Sequence, residues 1–370
     1  MIKILILGDS NSPHILRWAK SLNNAGCKID IFTLHVPDKN LYEDAPEIRL
    51  FTMNISRKIQ RKNESNILKL VYFKAILRLK KLIQELNPDI LHSHYASSYG
   101  LLGALAGFHP FIISVWGADI YNFPLKSLFH KIIIKYSLRN ADKILSTSKA
   151  MAIHTKRFTK KNIEVTPFGI DINKFKPMKN ESSNENDVIV IGTIKTLEKK
   201  YGVEYLIRAF KLVKEKFPEL SLKLLIVGEG SLESNLKKIV NELQISESTE
   251  FTGFIKHDEI VKYHNKLDIY VSLSTEDSES FGVAVIEASS CEKPVVVSNV
   301  GGLPEVVING ETGFVVEREN TRTAADAIAK LLENENLRKE MGKAGRQNVI
   351  KNFNWRDNIN QMISIYKQFV

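Results

Sequence analysis

Cysteine is scarce in this 370-residue chain: Cys27 and Cys291 stand far apart and match no metal-ligand spacing. A disulfide framework or a cysteine-based metal site is therefore not expected, and a reducing cytoplasm fits. Long apolar runs are also missing. No stretch reaches 18 consecutive apolar residues, so no segment reads as a transmembrane helix. The opening MIKILILGDS is an apolar strand running into polar loop residues, too short and wrongly flanked for a signal peptide. The loop after it, GDSNSPH, lacks a Gly-x-Gly-x-x-Gly fingerprint, so no nicotinamide cofactor is expected there. Nothing repeats at a solenoid period, and no low-complexity tract occurs beyond one polar stretch. No recognised nucleic-acid-binding module accompanies the basic residues, which argues against a nucleic-acid partner.

What is present points to two domains. The length exceeds one ordinary core and suits two units of about 150 to 200 residues. Short apolar strands and amphipathic segments alternate through the first half: IKILILG, a helix from Pro13 to Ala25, KIDIFTL, a basic helix around Ile67 to Leu86, DILHSH, FIISVWG and KILSTS. This rhythm implies an α/β fold with a parallel sheet covered on both faces. The stretch from Asp171 to Asp187, containing KPMKNESSNEND, has few large apolar residues and reads as a linker. A second alternation follows, with strands VIVIGTI, LKLLIVG, EFTGFI, DIYVSLS, PVVVS and GFVV. Boundaries are placed at 1–175 for the first domain, 176–187 for the linker and 188–352 for the second domain. A terminal helix occupies 353–370.

Charge is divided unevenly between the halves. The formal net charge is +10, but residues 1–180 hold 28 Lys and Arg against 13 Asp and Glu, leaving 24 against 29 for the rest. A basic first half suits a polyanion or an anionic lipid surface. The run SRKIQRKNESNILKLVYFKAILRLKKLI interleaves Lys and Arg with Ile, Leu, Phe and Tyr, the composition of a helix that lies on anionic lipid.

The chemistry concentrates in STEDSESFGVAVIEASSCEKPVVVSNVGGLPE. Glu279 and Glu287, with seven residues between them, span what reads as a strand end, a tight loop and a helix start at Gly282. A helix beginning there aims the backbone N–H groups of Phe281, Gly282 and Val283 beyond the strand's carboxyl end, where they favour a diphosphate. Glu279, in the loop beside Ser280, can accept hydrogen bonds from sugar hydroxyls. Glu287 lies one turn beyond Val283 on the same face and suits a ribose diol.

This segment resembles the donor-site signature of retaining glycosyltransferases of the GT-B fold, family 4 (glycosyl transferases group 1). In that family two glutamates at this spacing bracket a Phe-Gly or Gly-Phe-Gly loop. The resemblance covers nearly the whole chain, strongest from Ile189 to Val316. It implies two Rossmann-like, doubly wound parallel-sheet domains facing across a cleft, with the first binding acceptor, the second binding donor, and the terminal helix packing back on the first. The implied activity is hexosyl transfer from a nucleotide-diphosphate sugar to a glycan or lipid-linked acceptor hydroxyl, in capsule, lipopolysaccharide or other cell-surface polysaccharide assembly. The implied location is the cytoplasm, at the inner face of the cell membrane. The sequence has no Asp-x-Asp motif of the kind that holds a divalent metal in the other major glycosyltransferase fold, so neither metal nor other cofactor is expected.

Residue by residue, the resemblance assigns the leaving diphosphate to Lys195 and Lys200, with Lys199 a close rival. Here Gly192-Thr193-Ile194 stands in place of the family's Gly-Arg-Leu, and Lys200-Tyr201-Gly202 in place of its Lys-Gly. Gly253 and Phe254 fall where the family lays the nucleotide base against the backbone. Gly228, in VGEG, belongs either to a nucleotide loop or to a plain turn. His94, in DILHSHYASSYGLLG, matches the histidine near the donor sugar, and His92 reads as packed. Gly117 and Asp119, in SVWGADIYN, match a Gly-x-Asp near the acceptor, with Trp116 a packing residue or sugar platform. Ser10, Asn11 and His14, in the first loop, are expected on the acceptor side. Two rivals stay open: a sugar-nucleotide epimerase of the same fold, and a non-catalytic sugar-nucleotide-binding scaffold protein.

Overall fold

A computed structural model describes residues 1–55, 65–178 and 188–370. Most of the expected linker and the start of the basic run at 56–64 lie outside the described residues. The chain divides into two compact units, Met1–Pro167 with Asp357–Val370, and Phe168–Arg356.

Among the described residues the first unit holds seven strands: β1 (Lys3–Leu7), β2 (Lys28–His35), β3 (Arg49–Ile55), β4 (Ile90–His94), β5 (Phe111–Val115), β6 (Lys143–Ser146) and β7 (Ile163–Val165). Its helices are α1 (Pro13–Asn24), α2 (Ser65–Leu86), α3 (Ser98–Ala106), α4 (Ala118–Tyr121), α5 (Leu128–Asn140) and α6 (Lys149–Thr155). The second unit holds β8 (Ile189–Ile194), β9 (Leu222–Val227), β10 (Thr249–Phe251), β11 (Ile269–Ser272), β12 (Val295–Ser298) and β13 (Gly313–Val316). Its helices are α7 (Val203–Lys216), α8 (Glu233–Glu242), α9 (Ile260–Lys266), α10 (Val283–Ser290), α11 (Leu303–Val306), α12 (Thr321–Glu333) and α13 (Glu335–Asn352). The last helix, α14 (Trp355–Tyr366), passes from one unit's residues into the other's.

Both sheets are wholly parallel. The strand orders are β3-β2-β1-β4-β5-β6-β7 and β10-β9-β8-β11-β12-β13. Parallel strands covered on both faces need unbroken apolar runs, and β4, β5, β11 and β12 are buried along their full length. In the first unit Leu5, Phe32, Leu91 and Ile113 from the sheet pack with Leu102 and Leu138 from the helices. In the second, Ile191, Leu224, Ile226 and Val271 pack with Phe210 and Ile328. Local signals agree with these elements. Pro13 opens α1, which buries Ile15, Trp18, Ala19 and Leu22 at helical spacing, and the Asn320 side chain caps α12 by accepting from the Arg322 and Thr323 N–H groups.

The sheet of the first unit has two strands that the hydrophobic pattern does not announce. β3 is an edge strand with no fully buried residue, and β7 is three residues long. The terminal segment closes the first unit from the far end of the sequence: Asn358 Nδ2 donates to the Pro167 carbonyl at 2.7 Å and Gln361 Nε2 to that of Val165 at 3.1 Å.

In each sheet the strand order reverses once, between β1 and β4 and between β8 and β11. At such a point the crossover loops leave in opposite directions and open a crevice beyond the strands' carboxyl ends. Most of the residues singled out above fall at these two places.

Candidate active site

In the second unit the crevice is bridged by a buried ion pair. Lys195 is the first residue beyond β8, and its Nζ lies 3.0 Å from Glu279 Oε1, with side-chain exposures of only 9% and 10%. Ser274 Oγ donates to the other Glu279 oxygen at 3.5 Å. Burial by itself would lower the Lys195 pKa, but the nearby Glu279 carboxylate, then Tyr270 and Tyr201, outweigh it and raise the value. The lysine is therefore held as an ammonium. A second cation stands close by: Lys195 Nζ and Lys200 Nζ lie 4.9 and 4.6 Å from the centre of the same Tyr201 ring.

The turn that presents these cations is fixed by glycine. Gly202 follows the 3-10 turn Lys199–Tyr201 at φ +61°, where a Cβ would come within 1.9 Å of the Leu273 carbonyl oxygen. Thr275 N–H donates to the Lys200 carbonyl at 2.8 Å, tying the turn to the loop that carries Glu279. Lys199 belongs to the same turn. It lines a hollow of about 90 Å³ with Glu198, Glu204 and Tyr205, and it is Lys200 whose Nζ shares the Tyr201 ring with Lys195.

Beyond Glu279 the chain turns through Gly282 at φ +97° into α10, where a Cβ would meet Leu303 Cδ2 at 2.6 Å. The first N–H groups of such a helix have no intrahelical acceptors and face outward. Phe281 contributes its backbone to this turn, while its ring is buried edge-on against Phe168 and Phe353 at 6.0 and 5.6 Å. Glu287, one turn into α10, is 5% exposed. Its Oε2 lies 3.3 Å from Nε2 of His264, a fully buried residue of α9 whose Nδ1 has no partner. His264 was not singled out from sequence, because a lone histidine 23 residues upstream carries no spacing signal. Gly228 and Gly253 meet at the ends of β9 and β10, where the Gly228 N–H donates to the Gly253 carbonyl at 3.0 Å. A Cβ on Gly228 would lie 2.0 Å from the Lys195 carbonyl oxygen. The VGEG segment is thus a turn that packs on the cation-bearing strand end, with Phe254 projecting next to it, 67% exposed.

The first unit's crevice is lined by rings. His94 ends β4, is 2% exposed, and has no hydrogen-bond partner at either ring nitrogen. Its ring centre lies 4.9 Å from Trp116 and 4.3 Å from His92, and His14 approaches the same Trp116 ring at 5.4 Å. His92 is fixed on both sides, Nδ1 to Tyr366 Oη at 2.7 Å and Nε2 to Ser114 Oγ at 2.8 Å. Burial pushes the His92 pKa down to about 3. Burial, then His92 and His14, push that of His94 well below its usual value. Both imidazoles are uncharged near neutral pH, and a neutral imidazole offers one donor and one acceptor, a match for a hydroxyl.

Two residues expected on the acceptor side serve the scaffold instead. Asp119 is 1% exposed, and its oxygens accept from the N–H groups of Ala96 at 2.8 Å, Gly117 at 2.9 Å and Trp116 at 3.2 Å. It braces the turns after β4 and β5, with Gly117 at φ +137° between them. Asn11 likewise links two loops, donating to the Val36 carbonyl at 2.9 Å and accepting from the Asp38 N–H at 2.8 Å. Ser10 is buried with its hydroxyl unpartnered, and its carbonyl accepts from Tyr42 Oη at 2.8 Å. Among the described residues no group of three or more His, Cys, Asp or Glu is placed to hold a metal ion.

Residues 174–348 match the family model described as glycosyl transferases group 1, and residues 3–148 match that of glycosyl transferase 4-like. The capsular polysaccharide biosynthesis glycosyltransferase CapM of Staphylococcus aureus is 28% identical, with 96% of this chain and 97% of CapM aligned. Among solved structures, HepE of Anabaena in complex with UDP superposes with a TM-score of 0.82 at 18% identity over 99% of this chain and 100% of that one. Sucrose-phosphate synthase from Thermosynechococcus elongatus superposes with a TM-score of 0.81 at 21% identity over 100% and 99%. These two structures establish a shared fold.

Proposed function

The chain belongs to the glycosyl transferases group 1 family and is a glycosyltransferase of the GT-B fold, and we propose that it is a retaining one that needs no metal. The donor on this reading is a nucleotide-diphosphate sugar. The observation that carries the proposal is the Lys195–Glu279 pair at the switch point of the second sheet, with Lys200 beside it and α10 beginning just beyond.

In the reaction we propose, the bond from the anomeric carbon to the diphosphate oxygen breaks while the acceptor oxygen bonds to that carbon from the same face. The acceptor's proton passes to the departing diphosphate, so no protein base is required. What the protein supplies is electrostatic: the growing charge on the diphosphate is met by Lys195, Lys200 and the N-terminus of α10. Glu279 keeps Lys195 charged and in place and offers its free lone pairs to sugar hydroxyls. Glu287, oriented by His264, accepts from the ribose diol. His94 presents a neutral imidazole to a sugar hydroxyl. His14 and Ser10 are the remaining acceptor-side contacts, while Gly253, Phe254 and Gly228 form the base-side wall.

The acceptor we infer is a glycan or lipid-linked hydroxyl in cell-surface polysaccharide assembly. The basic first half supports an anionic, membrane-proximal acceptor, and CapM acts in capsular polysaccharide biosynthesis. The enzyme would then work in the cytoplasm against the inner face of the membrane. The test is to incubate the purified protein with UDP-, GDP-, ADP- and dTDP-sugars and lipid-linked acceptors in chelator, then read the anomeric configuration of the product by NMR. A product with the donor's configuration supports the reading. An inverted product, or transfer that requires added metal, contradicts it, and acceptor-independent conversion of the donor indicates an epimerase.

A further inference from the structure

The first unit carries an exposed surface that the donor and acceptor chemistry does not use. Leu125, at the end of the 3-10 turn Phe123–Leu125, is 82% exposed, and in α5 Leu128, Phe129 and Ile132 are 79%, 67% and 62% exposed. Side chains of this size rarely stand so far into water without a partner. On the inner side of the same helix Ile134 and Leu138 are fully buried and hold it to the unit.

Position along the helix sorts the outer face into two rows. Residues four apart align into a ridge, so Leu128, Ile132 and Tyr136 form one row, with Phe129 at its outer edge. Lys131, Lys135 and Arg139 form the adjacent row, all exposed. Lys126, just after the 3-10 turn, adds a fourth exposed cation, its Nζ 5.9 Å from the centre of the Phe123 ring. From residue 120 to 141 there is no Asp or Glu, and among the described residues none of these four cations is ion-paired. An apolar ridge flanked by cations that pair with no carboxylate is the arrangement that lets alkyl groups enter an acyl layer while the ammonium groups stay at the phosphates.

We propose that the turn Phe123–Leu125 and helix α5 dock the protein onto an anionic lipid bilayer. The proposal rests on the reading that the acceptor is presented at a membrane, and it names the surface that reaches it. Charge selects the occupant. A second copy docking by the same face would set one row of cations against another, whereas anionic phosphates neutralise them. The neighbouring helix layer has the same chemistry. α3 packs against both α5 and α2, and α2 shows Phe73 and Leu77, 59% and 54% exposed, beside exposed Lys74 and Arg78. α2 was marked by its sequence as a basic amphipathic helix; α5, with the more exposed apolar row, was not.

The experiment is flotation of the full chain with vesicles of phosphatidylcholine alone or with one third phosphatidylglycerol, beside transferase assays on a water-soluble acceptor. Lys131→Gln with Lys135→Gln should weaken binding to anionic vesicles on the order of 20- to 30-fold. Leu128→Ser with Ile132→Ser should weaken it at least tenfold. Both variants should keep the wild-type melting temperature and soluble-acceptor activity, because the altered side chains face solvent. Lys74→Gln with Arg78→Gln gives the effect of removing the same charge from α2. Wild-type binding by both α5 variants, binding lost only with the α2 changes, or no flotation of the unaltered protein would overturn the proposal. So would a dimer in sedimentation that the α5 changes dissolve. Vesicle binding by the unaltered protein that the α5 changes weaken, together with no transferase activity in that unaltered protein, would instead count against the proposed function and leave the docking surface standing.

Discussion

At the carboxyl ends of its strands the second unit gathers paired side-chain charges, and the first unit gathers buried rings. Lys195 and Glu279 form an ion pair beside a second lysine, and Glu287 meets His264. In the first unit the corresponding switch point holds His92 and His94 with Trp116 and Tyr366, and two carboxylates there meet backbone N–H groups: Asp119 accepts from Ala96 and Gly117, and Asp9, in the loop after β1, accepts from Asn11. The same topology thus yields different electrical environments. A departing diphosphate gains charge as it leaves and needs preorganised cations; a sugar or acceptor hydroxyl stays neutral and needs donors and acceptors at fixed positions without ionic competition. On the proposed function, the division of labour between donor and acceptor would lie in the loops after the strands, since the sheets themselves are alike.

The comparison breaks first at Lys195. Lys195→Met should lower kcat/KM by on the order of 10²- to 10³-fold, and it leaves the buried Glu279 carboxylate without its partner, a cost of about 3 to 5 kcal/mol in denaturant unfolding. Activity near wild type would remove the cation from the mechanism. Glu287→Gln comes next. Its carboxylate is proposed to bind donor rather than to act on the leaving group, so donor affinity should fall by about 2 kcal/mol, read by calorimetry. A fall in kcat at unchanged donor affinity would reassign it.

The neutral side is sharpened by pH. A histidine whose folded pKa lies below its unfolded value near 6.5 takes up its proton preferentially in the unfolded chain. Its contribution to stability is thus intact above about pH 6.5 and is lost as pH falls towards the folded value. For His92, held at about 3, the loss between pH 7 and pH 5 should be about 2 kcal/mol. His94, shifted in the same direction, should add to it. Denaturant curves for wild type and His92→Gln measure the difference, and parallel pH profiles would show that His92 is not buried neutral. The smallest effect expected is that of Tyr366→Phe, which removes the hydroxyl bonded to His92 and should cost about 1 kcal/mol with little change at the donor site.

The sequence carried the two-sheet fold because parallel strands are apolar on both faces: β1, β4, β5, β8, β9, β11 and β12 all sit within runs recognisable at a glance. β3 and β7 escaped because an edge strand need not be continuous or long. Glu279, Glu287 and the helix start at Gly282 were legible because they lie within one short segment, where spacing maps directly onto geometry. Tyr201 between two lysines and Tyr366 on His92 were not, since 274 residues separate the latter pair. The role of Asp119 was hidden for another reason: a Gly-x-Asp spacing does not reveal whether the carboxylate meets a ligand or three backbone N–H groups. The two ridges of α5 were present in the sequence at four-residue spacing, but which side of a helix faces solvent depends on what it packs against.

The central claim is that the second unit binds a nucleotide-diphosphate sugar through its own cations and helix terminus. The most direct measurement is a thermal-shift series with UDP-, GDP-, ADP- and dTDP-sugars in chelator, on wild type and on Glu287→Ala. A ligand bound only by the folded state at 100 times its Kd stabilises it by about 2.7 kcal/mol. The account predicts a selective rise of the midpoint with one nucleotide class, abolished in Glu287→Ala while that variant still unfolds cooperatively. No shift with any donor, or a shift that appears only when a divalent metal is added, would contradict it.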